Sequence, residues 1–505
     1  TGEGSDLAWA DEAQARDAVR DRAFPVLIAA GAAARNRNAT ERGLELHQVA
    51  LELARGDREH AEAFEELGDD HGWSYHGDPS TTAWNRALEL WRALGEDDAC
   101  ARVCLKAARH TAIYWGGFAS RPSGATVDAY VDEGLDKARD PLSRAWLLSL
   151  RGLARASYSS AGEQDPRSQE VRVDAAEEAA SLARTIDDTN ALALAQRTLC
   201  ALYLDMGRSA DALALAERQL DLVDRIGSQR TRNLETLMSL AQIMDIGGDF
   251  PRALEFAGDV RRRSADSSAH ERMHATYYEM AVLYRMGRWQ DVPALLDEHL
   301  AAFAEETVDM NCPFTRSGPV VGALVMEQLR EADAAARASD SIYPNDDEPG
   351  MVEGWMAERE LLNGRPDAAA EIARRTVAFG RGPTIEQPFY EWPVLVEALA
   401  ALERWDELEA AVADVRTRSA NVAWLEPAID RAEAARLASH GDSEGAAASL
   451  RRALDAYRRM GMSAEIATTL ERLALVEGQE LEKAAHLEEA EAIRAVVTGS
   501  TGVQP

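Results

Sequence analysis

Apolar residues recur along this chain at steps of three and four, with polar residues between them, which is the period of amphipathic helices. No run alternates with period two for long, and valine and isoleucine are not clustered as strands would need. The pattern also repeats itself. "LYLDMGRS", "QIMDIGGD" and "VLYRMGRW" place Gly207, Gly247 and Gly287 at 40-residue steps. The same step aligns Cys200, Leu240 and Met280, then Ala201, Ala241 and Ala281, then Tyr203, Ile243 and Leu283. Leu204, Met244 and Tyr284 agree as well, as do Met206, Ile246 and Met286. Similar turns follow at Gly364 and Gly441, and less regular units surround Leu329 and Trp405 and follow Gly77.

Each unit reads as helix, glycine turn, second helix, in a background of Ala, Leu, Glu and Arg that favours helix. A single hairpin cannot bury its apolar face, so neighbouring hairpins must stack. The expected fold is all-α, a tetratricopeptide-like helical-hairpin solenoid wound as a right-handed superhelix of about ten to twelve hairpins. The polar stretch "ASYSSAGEQDPRSQ", residues 156–169, suggests a boundary. On that reading residues 1–160 hold N-terminal helical repeats and residues 161–505 the regular ones, continuous with the first part. "DMNCPFTRSGP" (309–319) and "SDSIYPNDDEPGM" (339–351) read as loops between helices, and "TGSTGVQP" (498–505) as a frayed tail.

Composition narrows the function. The 505 residues are 46% hydrophobic and 28% charged, as in a folded globular protein. The formal net charge of −32 disfavours nucleic-acid binding, which needs a concentrated basic surface. Only Lys106, Lys137 and Lys483 are lysines, and none sits in a P-loop frame. Cys100, Cys104, Cys200 and Cys312 are too few and scattered for a disulfide framework. No apolar run approaches a membrane span, and no basic leader precedes an apolar segment. A cytoplasmic location without membrane contact is expected. The chain starts at Thr1 without methionine, which suggests a piece of a longer protein.

One string spells a catalytic signature. "HERMH", His270–His274, has the H-E-x-x-H form in which two imidazoles one turn apart hold zinc and the glutamate is the base. An antiparallel return would bring Glu305 or Glu306 near His270 as a third ligand. Against this, His270, His274, Tyr277, Ala281 and Tyr284 share the helix face that the repeat buries. His274 also occupies the packing column of Leu194 and Leu234. Such strings arise by chance at roughly 0.03 per chain of this composition. Packed histidines are therefore expected, and a zinc-dependent hydrolase using His270, His274 and Glu305 is the alternative. "YWGGFASRPSG" reads as an inter-helix loop, and "NDDEPG" lacks the alternating ligands of a calcium loop.

"VLYRMGRWQDVPALLDEHLAAF", "NCPFTRSGPVVGALVM" and "YWGGFASRPSGATVDAYVDEGLDKA", with the following "SRAWLLSLRG", resemble the C-terminal tetratricopeptide region of large bacterial signalling proteins. In those proteins an adenylate/guanylate cyclase-like or other effector domain and a signal-transduction ATPase precede the helical arm, and some are transcription activators. The resemblance implies a non-catalytic arm that binds a partner protein segment or small inducer and regulates an upstream effector. It implies no cofactor, and no catalytic residue carries over. Placement on first helices of the repeats nominates Tyr203, Tyr277, Tyr278, Tyr284, Trp355 and Trp392 as anchors of a concave groove.

Overall fold

The computed structural model describes residues 13–160, 163–305, 312–342, 350–379, 390–418 and 422–499. Glu306, "NDDEPG" up to Pro349, and most of the tail and of the 339–351 loop lie outside them, whereas the 309–319 stretch expected as a loop is helical from Pro313 onward. Among the described residues there are twenty-four α-helices, two short 3₁₀ turns and no strand. The fold is all-α, a tetratricopeptide-like array of helical hairpins. Two compact units divide the chain between Ala154 and Arg155.

The first unit contains α1 (Ala13–Arg35), α2 (Thr40–Leu53), α3 (Gly56–Trp73), α4 (Gly77–Leu94), α5 (Asp97–Ile113), α6 (Gly124–Lys137) and most of α7 (Pro141–Ser160). Consecutive helices pack as antiparallel neighbours around Trp84, Leu88, Trp91, Val103 and Cys104. Buried charges here are tied down. Glu65 accepts from Arg102 at 2.7 and 2.8 Å and from Lys106 at 2.7 Å. Burial alone would raise the Glu65 carboxyl, but Arg102 and Lys106 overcome it and hold it at about 2.

The second unit continues with α8 (Gln169–Thr185), α9 (Thr189–Asp205), α10 (Ser209–Val223), α11 (Gln229–Asp245), α12 (Phe250–Arg263), α13 (Ala269–Met286), α14 (Val292–Glu305), α15 (Pro313–Gln328) and α16 (Ala332–Ser339). It ends with α17 (Met351–Leu362), α18 (Pro366–Phe379), α19 (Glu391–Ala401), α20 (Trp405–Arg418), α21 (Leu425–Ser439), α22 (Ser443–Met460), α23 (Ser463–Val476) and α24 (Glu480–Val497). Side-chain oxygens of Ser168, Asp188, Ser228, Asp249, Ser268 and Asp442 cap the first turns of α8, α9, α11, α12, α13 and α22. Alternate helices from α9 to α21 lie side by side and form the inner layer, with the intervening helices outside.

Two further details differ from the sequence reading. The left-handed residue of the second repeat turn is Gly248 (φ 65°), one position beyond Gly247. The hydrogen bond from the Asp249 N–H to the Ile243 carbonyl closes that turn one residue later than in the neighbouring repeats. The inner face of this unit is also not an open groove. α13 packs against α23, and the Ala423 N–H donates to the Asp245 carbonyl at 2.6 Å. The array therefore curls until its early and late inner helices meet.

Candidate functional site

Several inner helices carry a charged residue that is buried or half-buried. Asp205, Asp245 and Arg285 stand 40 apart at the ends of α9, α11 and α13, and Glu358, Glu397, Arg431 and Glu465 lie at other positions along α17, α19, α21 and α23. Because the inner helices curl around one axis, charges on helices distant in sequence converge here. Arg285 donates to Glu358 through both terminal nitrogens, at 2.7 and 2.8 Å. Arg431 pairs with Glu397 at 2.7 Å and with Glu465 at 2.5 Å, and Arg472 reaches Glu397 at 2.8 Å.

Aromatic rings enclose these ions. The Arg285 guanidinium lies 4.6 Å from the Trp424 ring centre, 4.8 Å from Trp355, 5.2 Å from Tyr284 and 5.4 Å from Tyr390. Such faces attract a desolvated cation. Tyr390 and Trp424 stack at 5.7 Å, and Tyr284 and Trp289 at 5.9 Å. Tyr284 O–H donates to Glu358 at 2.7 Å, and Tyr390 O–H donates to Asp245 at 3.1 Å.

Between these walls lies a cavity of about 510 Å³, bounded by residues of the second unit alone. Tyr284, Arg285, Trp289, Glu358, Tyr390, Glu397, Trp424, Arg431, Tyr457, Glu465, Arg472 and Arg494 face it, together with Ala428, Ala464 and leucines of α17. Its size suits a small molecule or a few residues of peptide, and mixed aromatic and polar walls are usual for such pockets. Among the described residues the buried indole N–H of Trp424 finds no acceptor, which leaves a donor on the wall.

Electrostatics fix the charge states. Burial opposes ionisation of Glu397, but Arg431 and Arg472 prevail and keep its carboxyl below the usual range. Burial likewise works against Arg285 and Arg431, and their glutamate partners more than offset it. Asp245 is the exception. Complete burial pushes its carboxyl up to about 8, with only Tyr390 and Arg285 opposing, so it is neutral over much of the physiological range.

Of the six aromatic residues nominated from the sequence, Tyr284 lines the cavity. Trp355 is fully buried behind Arg285 and donates to the Tyr277 oxygen at 3.1 Å. Tyr277 in turn donates to the Met351 sulfur at 3.0 Å, while Tyr278 packs on Phe314 and Trp392 is buried. Tyr203 is half-buried with the Arg208 guanidinium 4.0 Å from its ring centre. Trp424, Tyr390 and Tyr457, all cavity residues, were missed.

The HERMH imidazoles are buried on α13, with ring centres 4.4 Å apart. Glu305 does not join them; its carboxylate pairs with Arg272. The third ligand-bearing group beside them is Cys312, whose sulfur lies 2.9 Å from His274 Nε2. Glu271 points elsewhere and pairs with Arg230 at 3.1 Å, so the base of a zinc hydrolase is not aimed at the histidines.

A helical-repeat protein of tetratricopeptide type is what this packing defines. No protein-family model and no curated protein sequence matches the chain. Among solved structures it is similar to yeast Tom70, at 10% identity over 94% of this chain and 96% of that one, with a TM-score of 0.36. It is also similar to the APC/C hetero-tetramer Cut9–Hcn1, at 12% identity over 93% and 94% of the two chains, with a TM-score of 0.41. A Rap protein complexed with Competence and Sporulation Factor shares 12% identity over 85% of this chain and 99% of that one, with a TM-score of 0.38. The fold assignment rests on the helices themselves. Among the described residues no helix is long and apolar enough to cross a membrane.

Proposed function

We propose that this chain is a non-catalytic recognition module whose second unit takes a small inducer or a short partner segment into its inner cavity. Occupancy then regulates an attached signalling effector of the cyclase, ATPase or transcription-regulator kind, in the cytoplasm. The observation that carries the reading is the cavity of about 510 Å³ walled by stacked aromatic rings and paired ions. Paired buried ions are weak contributors to stability compared with apolar packing of the same volume. Placing several around a void is therefore a poor way to build a core, and a reasonable way to orient a polar ligand. A ligand there would touch α13, α17, α19, α21 and α23 together and favour the curled state over any opened one.

The test is a thermal-shift screen of inducer-sized molecules and short peptides, with Ala428→Trp as the control. Ala428 faces the cavity, and an indole there would occupy part of it. A ligand that raises the melting temperature of the wild type and not of Ala428→Trp supports the reading. Hits that stabilise both proteins equally, or a screen with no hit at all, would count against it.

A further inference from the structure

Away from the cavity, His270 and His274 sit one turn apart on α13, and Cys312 immediately precedes α15. One ligand atom from each lies within 4.8 Å of the others, and all three side chains are buried. We infer that these residues form a site for a single monovalent copper ion.

Three features of the cluster select the metal. Its ligands are two imidazoles and a thiol, with no carboxylate among them, and thiolate favours soft ions. There are three of them, which suits copper(I), whereas structural zinc almost always takes four. Charge decides between the two. Copper(I) with one thiolate is neutral overall, while zinc(II) with one thiolate leaves a net positive charge in a buried place, where an uncompensated ion is costly. Arg230 pairs with Glu271 beside His270, and Arg316 lies one turn beyond Cys312. Phe314 closes one side, with its ring edge-on to His274 at 5.1 Å.

Binding is written as copper(I) plus the Cys312 thiol giving a copper–sulfur bond, with one proton released to solvent and no change of oxidation state. The empty site holds His274 Nε2 and Cys312 Sγ 2.9 Å apart. With bonds close to zinc's, about 2.0 Å to nitrogen and about 2.3 Å to sulfur, a three-coordinate ion spreads that pair to about 3.7 Å. Histidines held only as packing would resist that spreading, so affinity measures the difference.

The experiment is anaerobic titration of the full chain with copper(I) in competition with bicinchoninate. The wild type is expected to withdraw one equivalent. Cys312→Ser and His274→Ala should each weaken that binding at least about 100-fold, the upper part of the range for disturbing a metal site. Cys104→Ser, in the first unit, should leave it unchanged. Absence of withdrawal, equal binding by Cys312→Ser, or displacement of the copper by zinc(II) overturns the inference. Should Cys312→Ser fail to fold, X-ray absorption of the wild-type complex decides. Two nitrogen neighbours and one sulfur support the site, and all-sulfur coordination overturns it.

Discussion

Arg285 on α13 and Glu358 on α17 meet as a two-pronged ion pair, and both are buried inside a ring of aromatic side chains. Removing one partner strands the other charge. Arg285→Met should cost roughly 3–5 kcal/mol, whereas Arg285→Met with Glu358→Leu should recover most of that loss. Urea denaturation of the two variants measures the difference. If the double variant is as unstable as the single one, the pair contributes through shape and not through charge.

Asp245 should make the second unit less stable as pH rises. Its carboxyl ionises at about 8 when folded, against 3.8 for a free aspartate side chain. Between those values the folded chain holds a proton that the unfolded chain has released. The stabilisation is complete below the lower value and is lost as pH climbs through the upper one. The slope inside the window is at most roughly 1.4 kcal/mol per pH unit. Asp245→Asn removes it, so the stability of the wild type relative to that variant should fall from pH 5 to pH 8. Denaturation at pH 5, 6.5 and 8 checks this, and a constant difference would contradict it.

Two turn glycines with the same backbone should respond differently to alanine. Gly287 (φ 72°) and Gly364 (φ 73°) both adopt the left-handed region, where an added Cβ costs roughly 1–2 kcal/mol. At Gly364 nothing else stands in the way, but at Gly287 the Cβ would lie 2.9 Å from that of Ser463 and 3.2 Å from the Ala464 nitrogen. Gly287→Ala should therefore lower the melting temperature several degrees more than Gly364→Ala. Calorimetry of the pair reads the cost of the α13–α23 approach directly.

Gly318 on α15 is small because an imidazole occupies its side. A Cβ there would fall 2.3 Å from His299 Nε2, a ring held by Thr276 at 2.9 Å and by the Thr315 carbonyl at 2.9 Å. Gly318→Ala should cost roughly 1–3 kcal/mol by overpacking, although alanine is the better helix former. Combining it with His299→Ala should relieve the clash, and chemical denaturation of the double variant shows whether it does.

The helices were legible because periodicity is local. Apolar columns such as Ala201, Ala241 and Ala281 require only that each hairpin resemble the next. The cavity was harder to see. Asp205, Asp245 and Arg285 share one repeat register, but Glu358, Glu397 and Arg431 stand at other distances from their turns, so the sequence does not group them. Whether such charges face solvent or an enclosed centre depends on how tightly the array curls, which side-chain volumes at contacts such as Gly248 against Met460 determine collectively. Tyr390 and Trp424 lie just before α19 and α21, outside the periodic helix pattern from which anchors were nominated. Cys312 lies 38 residues from His274 with no pattern linking the two, and only the fold shows that they stand together.

The hydrogen bond from Tyr390 to Asp245 joins positions 145 residues apart, a separation that stacking of adjacent repeats alone does not create. In a linear array each hairpin answers only to its neighbours, so ends fray while the middle persists. Here the early inner helices are clasped by the late ones. The second unit should melt as one cooperative block, and a chain cut short after α20 should lose order as far back as α11.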